Sequence, residues 1–124
     1  VIGFNAVLEW LEQWDFSAAE QQAVALAEQA KVRLKNYPFC KLFNSPKPSS
    51  VVCFVFEGTA CSDLATLLAE QNIALRSGVH CAQPYLARLG QSATLRLSFA
   101  PYNTSSDLDA FFNALDKSLM LLSE

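Results

Sequence analysis

Apolar residues recur along this chain at two periods, one helical and one extended, and the switches between them mark the elements. Phe4, Val7, Leu8, Leu11 and Trp14 stand at helical spacing and predict an opening amphipathic helix. A second helix is predicted from about Ser17, read as its N-cap, to about Lys35, with Ala23, Leu26, Ala27, Ala30 and Leu34 on the inner face. Tyr37-Pro38 ends it. Residues 39–43 read as a short strand, and Ser45-Pro46-Lys47-Pro48-Ser49-Ser50 as a loop. The run over 51–57 reads as a strand buried on both faces. Ser62 is placed as the cap of a short helix carrying Leu64, Leu67 and Leu68, and Ile73-Ala74-Leu75 as a brief strand.

Residues 85–89 fit one helical turn ended by Gly90. Residues 94–99 then alternate, with Leu95, Leu97 and Phe99 on one face and Arg96 and Ser98 on the other. The last helix starts at Thr104, with Asp107 in capping-box position, and carries a stripe of Leu108, Phe111, Phe112, Leu115 and Leu119. The pattern predicts a helix-rich α+β domain with one mainly antiparallel sheet, without internal repeats or low-complexity segments.

Composition narrows the class. A chain of 124 residues with 52% hydrophobic and 17% charged residues is one domain with enough apolar content for its own core. A net charge of −3 argues against a nucleic-acid surface. No apolar run reaches membrane-span length and no signal peptide opens the chain, so no membrane partner is expected. Val1 begins the chain without a methionine, directly in a helical pattern, and this is read as a piece or a processed product. Cys40, Cys53, Cys61 and Cys81 are unevenly spaced without a C-x-x-C pair, so neither a disulfide scaffold nor a zinc site is expected. A reducing, cytoplasmic setting follows from that usage. Cys40, Cys53 and Cys61 are expected to be inert.

Cys81 differs. In Arg76-Ser77-Gly78-Val79-His80-Cys81-Ala82-Gln83-Pro84 it follows an arginine by five residues and a histidine by one. Gly78 and Pro84 are expected to keep the loop out of helix and strand, leaving an exposed thiol near positive charge, the setting of a nucleophile. His80 is either a satisfied structural imidazole or part of a site. In extended backbone it would point away from Cys81, so no Cys–His base pair is assumed. Arg96 is either a solvated arginine on an open sheet face or a carboxylate clamp. Arg76 is either a surface charge or a group that favours the Cys81 thiolate. Paired carboxylates, a phosphate-cradling glycine loop and a Ser-His-Asp set are absent.

The segment Leu75-Arg76-Ser77-Gly78-Val79-His80-Cys81-Ala82-Gln83-Pro84, followed by Thr94-Leu95-Arg96-Leu97-Ser98-Phe99-Ala100-Pro101-Tyr102-Asn103-Thr104, resembles the C-terminal region of pyridoxal-phosphate-dependent cysteine desulfurases of the class-V aminotransferase family. It is most similar to the Suf/Csd-type (group II) branch, which includes selenocysteine lyases and cysteine sulfinate desulfinases. The resemblance implies the small C-terminal domain of a fold-type-I pyridoxal-phosphate enzyme, homodimeric in the parent protein. It implies that Cys81 takes sulfur from L-cysteine, leaving L-alanine and a persulfide for an acceptor protein in iron–sulfur cluster assembly or other sulfur transfer. By the same resemblance Arg96 holds the substrate carboxylate, while Arg76 and His80 support the nucleophile. Val79 departs from the His or Gln frequent at its position in the family.

The family's cofactor-holding segments have no counterpart here. Lys31, Lys35, Lys41, Lys47 and Lys117 all read as solvated, and no His-Lys segment appears. The expectation is a single C-terminal domain over 1–124, separate from the large domain that binds pyridoxal phosphate, with no cofactor bound by this chain alone and no turnover of its own. Apolar surface meant for the large domain should then be exposed or covered by self-association. Two other classes stay open, a non-catalytic persulfide acceptor and a structural piece whose cysteine is idle. The motifs do not choose among cysteine, selenocysteine and cysteine sulfinate.

Overall fold

The computed structural model describes residues 1–43, 46–80 and 82–123. In chain order the elements are α1 (Ile2–Leu11), α2 (Phe16–Leu34), β1 (Cys40–Leu42), β2 (Val51–Phe56), α3 (Cys61–Glu70), β3 (Arg76–Gly78), α4 (Gln83–Arg88), β4 (Thr94–Ser98) and α5 (Ser105–Leu122). The strands form one antiparallel sheet in the order β1-β2-β4-β3. The α+β expectation therefore holds.

Alternation divides the sheet into two unlike faces. Val52, Phe54 and Phe56 of β2 and Leu95 and Leu97 of β4 point to one side, where they join Leu26, Ala27, Ala30 and Leu34 of α2, Leu64 and Leu68 of α3, and the α5 stripe. The opposite face carries Cys53 and Arg96, directly paired across β2 and β4. The expected burial on both faces holds only in part along β2, because on the second face Val55 is buried while Val51 and Cys53 are half-buried. Packing of α2, α3 and α5 covers the first face, and Arg33 sits 3.9 Å from the Phe112 ring centroid while pairing with Asp109 at 2.9 Å.

Helix ends show where local chemistry decides. The cap of α2 is Asp15, whose carboxylate accepts the Ala18 amide at 3.1 Å, and Ser17 lies inside the helix. An anionic cap also faces the positive end of the helix dipole, which a serine hydroxyl does not match. Ser62 likewise lies inside α3, whose N-cap is Ala60 without a side-chain bond. At α5 the expected capping box is present, with Thr104 Oγ1 accepting the Asp107 amide and Asp107 Oδ2 accepting the Thr104 amide at 3.0 Å. Thr104→Ala removes that acceptor and should lower unfolding stability by about 1 kcal/mol, read as a lower urea midpoint. An unchanged midpoint would show that the box contributes nothing.

The opening helix forms as expected but joins no core. None of its residues is buried, and Ile2, Phe4, Val7, Leu8 and Trp10 are all exposed. With the helix-bearing face of the sheet already filled, its apolar side joins no buried core among the described residues. Trp10, Trp14, Phe16 and Tyr102 line an apolar groove of about 470 Å³ beside it.

Candidate active site

The second face of the sheet, at the end where β3 and β4 pair, gathers three of the four candidate residues. Arg96 lies mid-way along β4, between Leu95 and Leu97, whose burial fixes the strand and turns the guanidinium to the opposite face. It is flanked by its two register partners, Cys53 on β2 and Arg76 on β3. Its Nε is buried and has no hydrogen-bond partner among the described residues. Arg76 opens the edge strand and is exposed.

The strand that delivers the chain to the loop is Arg76–Gly78, not the expected 73–75. Residues 76–78 find ladder partners along β4, whereas 73–75 have none, and a short extended segment is a strand only where a neighbour pairs with it. Nor does Pro84 hold the segment out of a helix. It sits in the first turn of α4, where a missing N–H costs nothing. Gly78 leaves β3 at φ 130°, a conformation that other residues rarely adopt. His80 follows with φ 52°, so the extended backbone assumed for it is absent. The Ala82 amide donates to the Val79 carbonyl at 2.8 Å, closing the chain back on itself. Cys81 itself lies outside the described residues.

His80 Nε2 is 3.3 Å from the Thr94 carbonyl, an acceptor, so this nitrogen carries the proton and Nδ1 is left as an acceptor. Nδ1 is buried and without a partner among the described residues. Burial lowers the His80 pKa, the Thr94 hydrogen bond opposes that shift, and the Arg96 and Arg76 guanidiniums lower it further. The imidazole is therefore neutral at neutral pH, and both arginines act on it. The Thr94 carbonyl was not legible beforehand; the alternation placed Thr94 on the Arg96 face but gave no sign of its bond to His80.

The other thiols are poor nucleophiles. Burial raises Cys40 to about 11 and also raises Cys53 and Cys61; Arg96 only partly offsets the rise at Cys53, and a backbone hydrogen bond that at Cys61. The lysines are not all solvated. Lys31 is 8% exposed and pairs with Glu28 at 2.9 Å, its stem packed along α2 while its charge reaches an acid one turn back. Lys41 shares the Arg96 face but stands on the far edge strand, 3.9 Å from Glu57. Lys35 is exposed at the C-cap of α2, Lys117 is exposed on α5, and Lys47 is exposed before β2. No lysine lies on β3 or β4, and none is placed to hold an aldehyde cofactor beside Arg96. Among the described residues no cluster could hold a metal ion, and no helix is long and apolar enough to cross a membrane.

Comparison with known proteins adds a second line. The family model "Aminotransferase class-V" matches residues 1–111. A probable cysteine desulfurase of Pasteurella multocida (strain Pm70) is 77% identical over 122 residues, which are 98% of this chain and 29% of that protein. Cysteine desulfurase CsdA of Escherichia coli (strain K12) is 52% identical over 122 residues, covering 98% of this chain and 30% of CsdA. A crystal structure of CsdA from Escherichia coli, titled as the S-sulfonic acid, superposes with a TM-score of 0.92 at 50% identity, covering 97% of this chain and 30% of that one. The apo structure of a cysteine desulfurase from Thermococcus onnurineus NA1 gives a TM-score of 0.72 at 26% identity, over 81% of this chain and 26% of its own. The chain thus spans less than a third of the length of these relatives.

Proposed function

The chain belongs to the aminotransferase class-V family, and from that premise we propose that residues 1–124 are the C-terminal small domain of a cysteine desulfurase. The observation that carries the reading is Arg96, a strand-held guanidinium on the sheet face turned away from the main core, with a buried Nε that has no partner among the described residues, at the end of the sheet that leads into the Cys81 segment. A persulfide acceptor module has no use for a carboxylate grip, which sets that alternative aside.

In this reading Arg96 binds the α-carboxylate of L-cysteine through its planar fork. Arg76 favours the thiolate of Cys81, and His80, bonded to the Thr94 carbonyl through Nε2, keeps Nδ1 as a hydrogen-bond acceptor. The net change is one sulfur atom moved. The substrate's C–S bond breaks, an S–S bond forms on Cys81, and the thiol proton ends on carbon, so L-cysteine and a thiol become L-alanine and a persulfide. The residues described here do not fit pyridoxal phosphate by themselves, since no lysine stands beside Arg96. The cofactor, which supplies an electron sink when bound, is assigned to the rest of the longer protein, together with its homodimer contacts. An acceptor protein then takes the persulfide sulfur in the cytoplasm.

The full-length protein given L-cysteine should release alanine and carry one extra sulfur atom on Cys81, seen by peptide mass measurement without reductant. This chain alone should show no visible cofactor absorbance and release no sulfide. Robust turnover by the isolated chain, or the extra sulfur on another cysteine, would sink the reading.

A further inference from the structure

Arg76 and Arg96 are direct partners across β3 and β4. Residues opposed in this way leave the same face with Cβ atoms about 5 Å apart, and two like charges at that spacing repel. Among the described residues no ion pair offsets them. From residue 71 to 106 the chain holds Arg76, Arg88 and Arg96 but no aspartate or glutamate, although its net charge is −3. Among the described residues the ion pairs are Lys31–Glu28, Arg33–Asp109 and Lys41–Glu57, none of which involves this edge. Cys53, on the other flank of Arg96, adds no negative charge while its thiol stays protonated. The buried Nε–H of Arg96 still needs an acceptor, and a donor left unsatisfied costs about 1–3 kcal/mol.

We infer that Arg76 and Arg96 work as a pair around one small oxyanion, so that Arg76 is a second arm on the substrate carboxylate and the pair takes a free oxyanion when no substrate is bound. An anion between two guanidiniums turns their mutual repulsion into two attractions. It also gives Arg96 Nε the acceptor that the described residues do not supply. The edge position of β3 leaves Arg76 free to close over the bound group from the solvent side. The inference rests on the carboxylate-holding role proposed for Arg96. Its test uses neither cofactor nor cysteine, so a failed desulfuration assay would leave it standing.

The test is a titration of the ¹⁵N-labelled chain with inorganic phosphate and, separately, with acetate, at an ionic strength held constant with sodium chloride, following the arginine Nε–Hε signals. The signals of Arg76 and Arg96 should move together, with one dissociation constant for each anion. Arg76→Gln should weaken binding at Arg96 by about tenfold, the loss of one charge-assisted hydrogen bond. Arg88→Gln removes an equal charge from the exposed side of α4 and should change little. Movement of Arg96 alone, or equal weakening by Arg76→Gln and Arg88→Gln, would overturn the pair. Movement with phosphate but not acetate would overturn the carboxylate arm.

Discussion

Replacing Cys81 by serine in the full-length protein is expected to abolish the persulfide and to slow alanine release by at least about a thousandfold. A serine hydroxyl keeps its proton at neutral pH and cannot hold a sulfur atom as a persulfide does. The size of the effect depends on whether another thiol can step in, and the structure argues that none can. Cys53 is the nearest in register to Arg96, yet burial raises its pKa and it is held in the middle of β2. Cys40 stands on the β1 edge strand with its pKa raised to about 11. Cys61 begins α3 with its Sγ 3.7 Å from the Ala93 carbonyl. Thiolate is the attacking form, so all three are disadvantaged before geometry is considered. Single-turnover alanine release and mass measurement of each cysteine-containing peptide check this. Persulfide on Cys53 or Cys61 in the serine variant, or turnover within tenfold of the parent, would remove Cys81 from its role.

Much of this arrangement could be read from the residues. The α5 stripe and its capping box come from local spacing alone, since both partners of each bond lie within one turn. The Arg96 orientation follows from strict alternation in β4, where Leu95 and Leu97 leave it only one side. The failures at the sheet depended on partners distant in sequence. Residues 76–78 are extended because β4 runs beside them, and nothing within the segment says so. Ser17 and Asp15 are both acceptable caps, and the structure uses the carboxylate, which accepts the Ala18 amide and faces the positive end of the helix dipole. Lys31 looked solvated because its burial follows from how α2 packs, although its Glu28 partner stands only three residues away in the same helix. The opposition of Arg76 and Arg96 was likewise invisible, because register is a property of two strands.

Changing Arg96 to glutamine in the full-length protein should raise the KM for L-cysteine by two to three orders of magnitude while kcat changes far less. Two charge-assisted hydrogen bonds to a carboxylate contribute about 3–4 kcal/mol together, allowing for non-additivity, which converts to roughly a hundredfold to a thousandfold. The carboxylate carries the same charge before and during sulfur transfer, so its grip is uniform binding and its loss falls on KM. Arg96→Lys should recover only part, because an ammonium is a point charge without the fork. Misfolding is not a competing explanation, for the side chain leaves the face of the sheet that has no part in the main core, and Leu95 and Leu97 keep their places in it. The urea midpoint of the variant should therefore match the parent, or exceed it, since one of two opposed like charges has gone. An unchanged KM with a stable fold would mean that the substrate carboxylate is held elsewhere, and that the unpartnered Nε of Arg96 serves some other anion.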